Sequence, residues 1–234
     1  DLHAAGVRVA LIADVRADAT GAPPDSARQA GIEVVTGATV LGTRGRLGVR
    51  EVTIGVVAMG AVGDTRRVKC DALLVSGGYT PSVHLFSQSR GKLEFNEARQ
   101  AFLPSVSAEP ESSAGSCRGI DGYTQVLNDG ARVGAASALA AGYSVATPEY
   151  RVQAHEFSMH GLPGVLPQAS PLQPARAFVD FQNDVTSKDL ALAMREGFES
   201  VEHIKRYTTT GMATDQGKTS NMNALAFVAG MERH

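Results

Sequence analysis

The sequence has 234 residues, a net charge of −2 at neutral pH and a pI near 6.3, so it is long enough for one large domain or two small ones. No basic stripe indicates nucleic-acid binding, and no apolar run approaches the ~20 residues that cross a bilayer. The two cysteines, Cys70 and Cys117, lack metal-site spacing, and no signal-peptide pattern opens the chain. Composition therefore predicts a reduced, cytoplasmic protein that binds neither nucleic acid nor a membrane.

Both ends of the sequence are unusual. It begins without Met, at a run typical of a helix tail leading into a strand, and it stops just after an apolar helical run, "LAFVAGMERH". These features predict an internal fragment of a larger protein.

The first third alternates strand and helix patterns. Residues 7–15, "VRVALIADV", form a continuous apolar run typical of a buried strand, with Asp14 near its carboxyl end. A short helix follows, then two β-rich stretches, and then an apolar strand at Ala72–Ser76 that ends at Gly77 and Gly78. This order predicts an α/β nucleotide-binding architecture.

A glycine-rich turn, "SSAGSCRGIDGY", leads into a helix dense in small residues, Ala131–Ala141. Small side chains let a helix pack closely on a sheet, and glycines let backbone N–H groups face an anionic ligand at a helix N-terminus. The same pattern is equally typical of a Gly/Ala helix packed in a core. The sequence leaves both interpretations open.

Residues 148–174 are rich in proline and lack periodicity, so they predict a linker. His155, Glu156 and His160 lie in this stretch. The helical zinc motif needs two histidines four residues apart, whereas these are five apart. We therefore interpret them as surface residues and predict no metal site.

The last third of the chain has the pattern of three helices. Residues 186–189 have the spacing of a capping box, Ser200 is placed to cap a second helix, and Ser220 or Asn221 a third. The loop between the second and third helices is "GMATDQGKTSN", residues 211–221. Its Gly-Lys-Thr ending is similar to a P-loop, but the first glycine is one residue out of register and no buried strand precedes it.

Residues Val179–Ser220 resemble the small ferredoxin-like domain of bacterioferritin-associated ferredoxin and of several flavoprotein dehydrogenases. That family carries C-x-C-E-x-V-T and G-M-G-x-C-Q-G-x-x-C, and its four cysteines hold a 2Fe–2S cluster. Here the framework is kept, but the cysteine positions hold Asp180, Gln182, Asp215 and Ser220. Iron–sulfur clusters need thiolate ligands, so we predict a domain of this type without iron.

The cluster-free version, with "FVDFQNDVT" and "GFESVEHIKRYTTTGMATDQGKTSN", is similar to α subunits of heterotetrameric sarcosine oxidases. Upstream, "CDALLVSGGYTPSVHLF" and "AGSCRGIDGYTQVLNDGARVGAA" fit the same family. The resemblance implies an α/β fold, a partial Rossmann-type FAD/NAD(P)-binding fold of the pyridine nucleotide–disulfide oxidoreductase type, followed by a small α-helical ferredoxin-like domain lacking its cluster. The family's first β-α-β half and its folate-binding domain are not recognisable here.

The resemblance also implies four segments with distinct roles. They are residues 1–98, a partial NAD(P)-binding-like nucleotide fold; 99–147, the returning segment of the FAD/NAD(P)-binding fold; 148–174, the linker; and 175–234, the helical ferredoxin-like domain.

A function follows from the same resemblance. Such complexes oxidise sarcosine to glycine, pass electrons from FAD through FMN to oxygen, release hydrogen peroxide, and capture the one-carbon unit on tetrahydrofolate as 5,10-methylenetetrahydrofolate. In this family the β subunit performs the oxidation, whereas the α subunit binds NAD and helps enclose FMN. The chain is therefore expected to bind NAD and to border FMN beside β, γ and δ subunits, with no catalytic residue of its own.

Two groups of residues are expected to contact these cofactors. For NAD, Asp14 is either a ribose ligand or an ordinary strand-end aspartate, and the turns supply Gly77, Gly78, Gly115, Ser116, Cys117, Gly122 and Thr124. Ser116 stands where related FAD enzymes have an aspartate, which argues against FAD. For FMN, the last loop is either a phosphate-binding surface or a solvated loop, and its donors are Lys205, Arg206, Thr208, Thr209, Thr214, Gln216, Lys218 and Thr219.

Two alternatives remain open. The first is an α subunit of an opine oxidase or of a hydrogen-cyanide-synthase-like flavoprotein dehydrogenase. Those relatives usually keep the cluster cysteines, so the replacements found here favour sarcosine oxidase. The second is a catalytically inert interaction fragment that binds no nucleotide.

Overall fold

The computed structural model describes residues 1–58, 61–153 and 177–231. His155, Glu156, His160 and most of the predicted linker lie outside the described residues. The chain divides into two compact units, Asp1–Leu74 with Pro163–His234, and Val75–Leu162.

The first unit opens with a β-α-β element. Strand β1 (Ile12–Asp14) and strand β2 (Val34–Thr36) pair in parallel, and helix α1 (Ala22–Gln29) connects them. A proline is tolerated at the second position of α1 because it lacks an N–H group, and N–H groups in the first turn of a helix have no acceptor within the helix. The strand–helix–strand order predicted for this stretch is confirmed.

An antiparallel meander follows, as the β-rich pattern predicts. Strands β3 (Ala38–Arg44), β4 (Glu51–Ala58) and β5 (Ala61–Lys69) lie in that order, and Val52 and Ile54 are buried on β4.

Two strand predictions are wrong. Only Ile12–Asp14 of the run 7–15 is a strand, and Val7 and Val15 are exposed. Residues 72–76 form no strand, and the side chain of Val75 is 80% exposed. A parallel strand buried on both faces needs neighbours on either side, and within the described residues β1 pairs with β2 alone.

The second unit contains a hairpin and a long helix. Its elements are helix α2 (His84–Gln88), strands β6 (Lys92–Asn96) and β7 (Ala101–Val106), a 3₁₀ turn (Gly115–Arg118) and helix α3 (Tyr123–Ala140). Phe95 and Phe102 meet edge to face across the hairpin, with ring centroids 5.2 Å apart. The predicted small-residue helix therefore exists and begins at Tyr123.

The region 177–231 is helical, as its pattern predicts. A small hairpin of β8 (Phe178–Asp180) and β9 (Val185–Thr186) precedes helices α4 (Ser187–Arg195), α5 (Val201–Thr208) and α6 (Asn221–Met231). One apolar core joins them, and it includes Leu190, Ile204, Phe227 and Val228. No helix in the described part of the chain is long and apolar enough to cross a membrane.

Helix α4 begins as its sequence predicts. The backbone N–H of Thr186 donates to the Asp189 carboxylate at 2.8 Å, and the two residues form a capping box. Ser200 precedes α5 but makes no capping hydrogen bond with its side chain. Helix α5 ends at Thr208 because Thr209 adopts a left-handed conformation with φ of 63°.

Candidate functional site

The loop between α5 and α6 is anchored by the buried carboxylate of Asp180, which lies at the end of β8 and is 1% exposed. One oxygen accepts the backbone N–H groups of Gln182 at 2.9 Å and Asn183 at 3.2 Å, and the other accepts that of Gly211 at 2.7 Å. A single side chain thus fixes the start of the loop against the β8–β9 turn.

Asp215 organises the second half of the same loop. Its carboxylate accepts the backbone N–H of Gly217 and, from Thr219, both the backbone N–H at 3.1 Å and the hydroxyl at 2.6 Å. The Thr219 bonds, from the hydroxyl and then the N–H, hold the pKa of Asp215 below its usual value. The carboxylate is therefore charged at neutral pH and closes a turn around itself.

Two glycines make this loop compact. Gly211 and Gly217 adopt φ of 68° and 75°, a region that L side chains rarely occupy. A Cβ atom on either one would also collide with the side chain of Asn221, the first residue of α6. Backbone geometry therefore requires the glycine of each motif pair, Gly-Met and Gln-Gly.

Ser220 lies at the base of the loop and is fully buried. Its hydroxyl oxygen has no hydrogen-bond partner in the part of the chain that the structure describes, so it does not cap α6. Burying an unpaired hydroxyl costs free energy. Of the four positions that the predicted ferredoxin resemblance aligns with cysteine, two carry carboxylates engaged by backbone N–H groups, one carries the exposed Gln182, and one carries this unpaired hydroxyl.

The structure separates the eight expected FMN-binding residues into two groups. Four donate side-chain hydrogen bonds within the region. Thr208, Thr209 and Gln216 donate to the backbone carbonyl groups of Ile204, Thr208 and Ala213, respectively, and Thr219 donates to the Asp215 carboxylate. The other four, Lys205, Arg206, Thr214 and Lys218, make no side-chain hydrogen bond or ion pair with any described residue. The three cations among them are the groups able to meet an anion.

In the second unit, the turn at Gly115 is held by a buried acid on α3. Asp129 is 6% exposed and accepts the Gly115 N–H at 2.8 Å, and it pairs with Arg132 at 2.5 Å and Arg118 at 3.3 Å. Burial raises the pKa of Asp129, but the Gly115 N–H and the two guanidinium groups outweigh it, so the pKa lies below its usual value.

Other expected nucleotide-binding groups of this unit also have internal partners. The thiol of Cys117 donates to the carbonyl of Ala114 at 3.0 Å, and the Thr124 hydroxyl accepts the backbone N–H of Val152 at 3.1 Å. Ser116 is exposed, and Gly122 directly precedes α3 with φ of 80°. The turn is therefore built as predicted, but the Gly115 N–H already donates to a carboxylate.

Asp14 and the glycine pair have different surroundings. Asp14 ends β1 and accepts the Nε and Nη2 groups and the backbone N–H of Arg16, and these bonds lower its pKa. A carboxylate has about four acceptor positions, so this bidentate pair leaves little capacity for a ribose. Gly77 and Gly78 lie in exposed coil.

Sequence reasoning did not single out Asp129. The sequence does contain a signal for it: Asp129 lies in a Gly/Ala-rich helix, and Arg132 follows three residues later. An acid on the packed face of such a helix needs hydrogen-bond or ionic partners. Within the described residues, no group of three or more His, Cys, Asp and Glu side chains has the arrangement of a metal site.

Comparison with known proteins shows what this chain is similar to. The chain is 37% identical to sarcosine oxidase subunit α of Corynebacterium sp. strain P-1 and 38% identical to that of Rhizobium meliloti strain 1021, in each case over 98% of its own length. The chain is related to sarcosine oxidase α subunits. The sarcosine oxidase A3 domain family matches residues 174–234, and the predicted resemblance is confirmed.

The extent of these matches matters. The chain spans 24% of the Corynebacterium protein and 22% of the Rhizobium protein, so it corresponds to about a quarter of a sarcosine oxidase α subunit. Among solved structures, the L-proline dehydrogenase from P. horikoshii matches 90% of this chain and 42% of its own chain, with a TM-score of 0.58 and 21% identity. This likeness concerns the fold alone and confirms the mixed α/β class.

Proposed function

We propose that this chain is the nucleotide-binding and flavin-bordering part of a sarcosine oxidase α subunit. The whole complex would demethylate sarcosine to glycine with oxygen and tetrahydrofolate, giving hydrogen peroxide and 5,10-methylenetetrahydrofolate. The observation that carries this proposal is the identity of 35–38% with three sarcosine oxidase α subunits over 98% of the chain. The β, γ and δ subunits are the proposed partners.

The helical region 177–231 is proposed to be a ferredoxin-like domain whose loop no longer holds a cluster. Backbone N–H groups commonly donate to the sulfur atoms of such clusters. Here the carboxylates of Asp180 and Asp215 accept backbone N–H groups instead. We propose that they hold the loop in place as the cluster sulfur atoms do in a ferredoxin. Oxygen ligands without thiolates do not fit an iron–sulfur cluster.

Installing cysteine at residues 180, 182, 215 and 220 tests this interpretation. Anaerobic reconstitution with iron and sulfide is expected to give the visible absorbance of a 2Fe–2S centre in the quadruple variant and none in the native chain. Stoichiometric iron and sulfide in the native chain would contradict the proposal.

The same loop and the last turn of helix α5, which carries Lys205 and Arg206, are proposed to border FMN. Lys205, Arg206 and Lys218 fit an anionic flavin phosphate because none of them has an ionic partner in the described structure. The neighbouring hydroxyl groups hold the loop in shape and thereby position these cations. FMN, when bound, would carry electrons from the oxidised amine toward oxygen.

NAD is proposed to bind through the glycine turns of the second unit. The fit is weaker here, since the Gly115 N–H and the Asp14 carboxylate are both engaged by the protein itself. The NAD-binding assignment therefore depends on the exposed positions Ser116, Gly77 and Gly78.

A variant of the assembled αβγδ complex tests the FMN contact. Lys218→Ala is expected to weaken FMN retention or slow its reoxidation more than about tenfold, because one charge-assisted hydrogen bond is worth about 1.5–3 kcal/mol. Reduction of FAD by sarcosine should not change. Lys188→Ala, at another exposed and unpaired cation of this region, is the matched control.

Stopped-flow spectroscopy of both flavins measures these rates. If the flavin is covalently attached, the expected result is a changed FMN potential and electron-transfer rate rather than loss of FMN. Traces identical to the native complex in both flavin phases would identify Lys218 as a solvated loop lysine.

A further inference from the structure

A cleft of about 520 Å³ lies at one end of the β3–β4–β5 meander, within the first unit. Three strands meet there: β3 ends at Arg44, β4 begins at Glu51 and β5 ends at Lys69. Arg8, from the segment before β1, and Arg50, from the β3–β4 turn, complete its basic lining. The volume is within the range that small-molecule sites occupy.

The charge of this cleft is strongly unbalanced. Four cations line it, against two carboxylates, Glu51 and Asp71. Arg44 lies 3.8 Å from Glu51, whereas Arg8, Arg50 and Lys69 have no side-chain hydrogen bond or ion pair within the described residues. Unpaired cations that converge on a concave surface raise the local concentration of anions. Guanidinium groups in particular match phosphate oxygens two at a time.

Glu51 adds a second chemical requirement. Its Oε1 atom is buried and has no hydrogen-bond partner among the described residues, although Arg44 Nη1 and Arg67 Nε each lie 3.8 Å away. These two guanidinium groups compensate the buried oxygen by ion pairing. The Glu51 side chain is 23% exposed and lines the cleft, so its accessible part would accept a bound hydroxyl group and repel a bare oxyanion.

The position of the cleft distinguishes it from a nucleotide site of the usual α/β kind. Such folds bind nucleotides at the carboxyl ends of their parallel strands. Arg8 precedes β1 and so lies toward its amino end, whereas Asp14 ends the strand. None of the residues proposed above for NAD or FMN lines this cleft.

We propose that this cleft binds a phosphorylated small molecule that also carries a free hydroxyl group, with Arg8, Arg50 and Lys69 holding the phosphate and Glu51 accepting the hydroxyl. This inference is independent of the proposed sarcosine oxidase function. A failure of flavin or amine chemistry leaves it unaffected, and its own failure leaves that function unaffected.

Calorimetric titration of the complete α subunit with ribose 5-phosphate and with inorganic pyrophosphate tests the site. Both probes are expected to bind. The double variant Arg50→Gln/Lys69→Gln should weaken both at least ~10-fold, since each lost cation removes a charge-assisted contact. Arg46→Gln is the matched control, because Arg46 is an exposed cation of the same turn outside the cleft.

The variant Glu51→Gln separates the two parts of the proposal. Pyrophosphate should bind more tightly to it because a repulsive charge is gone, and ribose 5-phosphate should gain less because its hydroxyl group loses a charged acceptor. Arg8→Gln, outside every strand, provides a second charge variant if the double variant unfolds. No binding of either probe, or an equal loss in Arg46→Gln, would overturn the proposal, as would binding of an acidic peptide in place of both probes.

Discussion

The helical region 177–231 and the segment 72–76 both carry large apolar side chains but differ in burial. Leu190 and Ile204 of the helical region are 0% and 2% exposed, whereas Leu74 and Val75 of the segment are 71% and 80% exposed. The helices meet one another within 55 residues of chain, and their shared core is complete in the described structure. Residues 72–76 do not belong to that core, or to any buried cluster in the described structure.

The difference shows what a local pattern can and cannot predict. Helical periodicity predicts both an element and its buried face, and here neighbouring helices supply the opposite faces. An apolar run typical of a parallel strand predicts burial only if other strands flank it, and those strands are distant in sequence. The strand prediction for residues 72–76 therefore depends on distant residues that the local pattern does not describe.

The largest expected effect is on the helical core. Leu190→Ala removes a fully buried side chain, so we expect a loss of about 2–5 kcal/mol in the unfolding free energy of this region. Hydrogen exchange of amides in residues 177–231, followed by mass spectrometry, measures the change within the region itself.

Leu74→Ala is the matched control, because it is the same substitution at an exposed position. Its effect should lie within about 0.5 kcal/mol. Equal destabilisation by the two variants would mean that the helical region lacks the separate core described here.

The next effect concerns the buried carboxylate of Asp180. Asp180→Asn keeps one acceptor oxygen and leaves at least one buried backbone N–H unpaired, so we expect a loss of about 1–3 kcal/mol and faster exchange at Gly211. Asp184→Asn is the control, since Asp184 is exposed and its φ of 53° suits asparagine equally well. An unchanged exchange rate at Gly211 in Asp180→Asn would contradict the anchoring role.

Much of the helical region could be predicted from sequence because its signals are local. The capping box at Thr186 and Asp189 and the glycines of the loop determine structure within a few residues. The use of the Gly115 N–H by Asp129 could not be predicted in the same way. The two residues are 14 positions apart, and a glycine-rich turn before a helix is compatible with either an external anion or an internal carboxylate.

A smaller, pH-dependent effect tests whether the Asp129 carboxylate, rather than an external anion, holds the turn at Gly115. The folded pKa of Asp129 lies below its unfolded value, so its stabilisation is present above the unfolded pKa and is lost as pH falls through the folded value. Asp129→Asn should therefore reduce stability by about 1–2 kcal/mol at pH 7 and have little effect at about pH 2.

Unfolding free energies at several pH values between about 2 and 7 measure this dependence. Asp64→Asn, at an exposed acid with no partner in the described structure, should leave the pH profile unchanged. A loss from Asp129→Asn that is as large at acidic pH as at neutral pH would mean that packing, rather than the carboxylate charge, holds the turn.

The last prediction uses one substitution in both regions. Valine and threonine have nearly the same shape, but threonine adds a hydroxyl that is costly to bury. Val228→Thr, at a side chain that is 2% exposed, should therefore destabilise the helical region by about 1–3 kcal/mol. Val75→Thr, at 80% exposure, should change stability by less than about 0.5 kcal/mol because its hydroxyl stays in water. Equal losses from the two variants would show that residues 72–76 are buried in solution, and the contrast between the two regions would then fail.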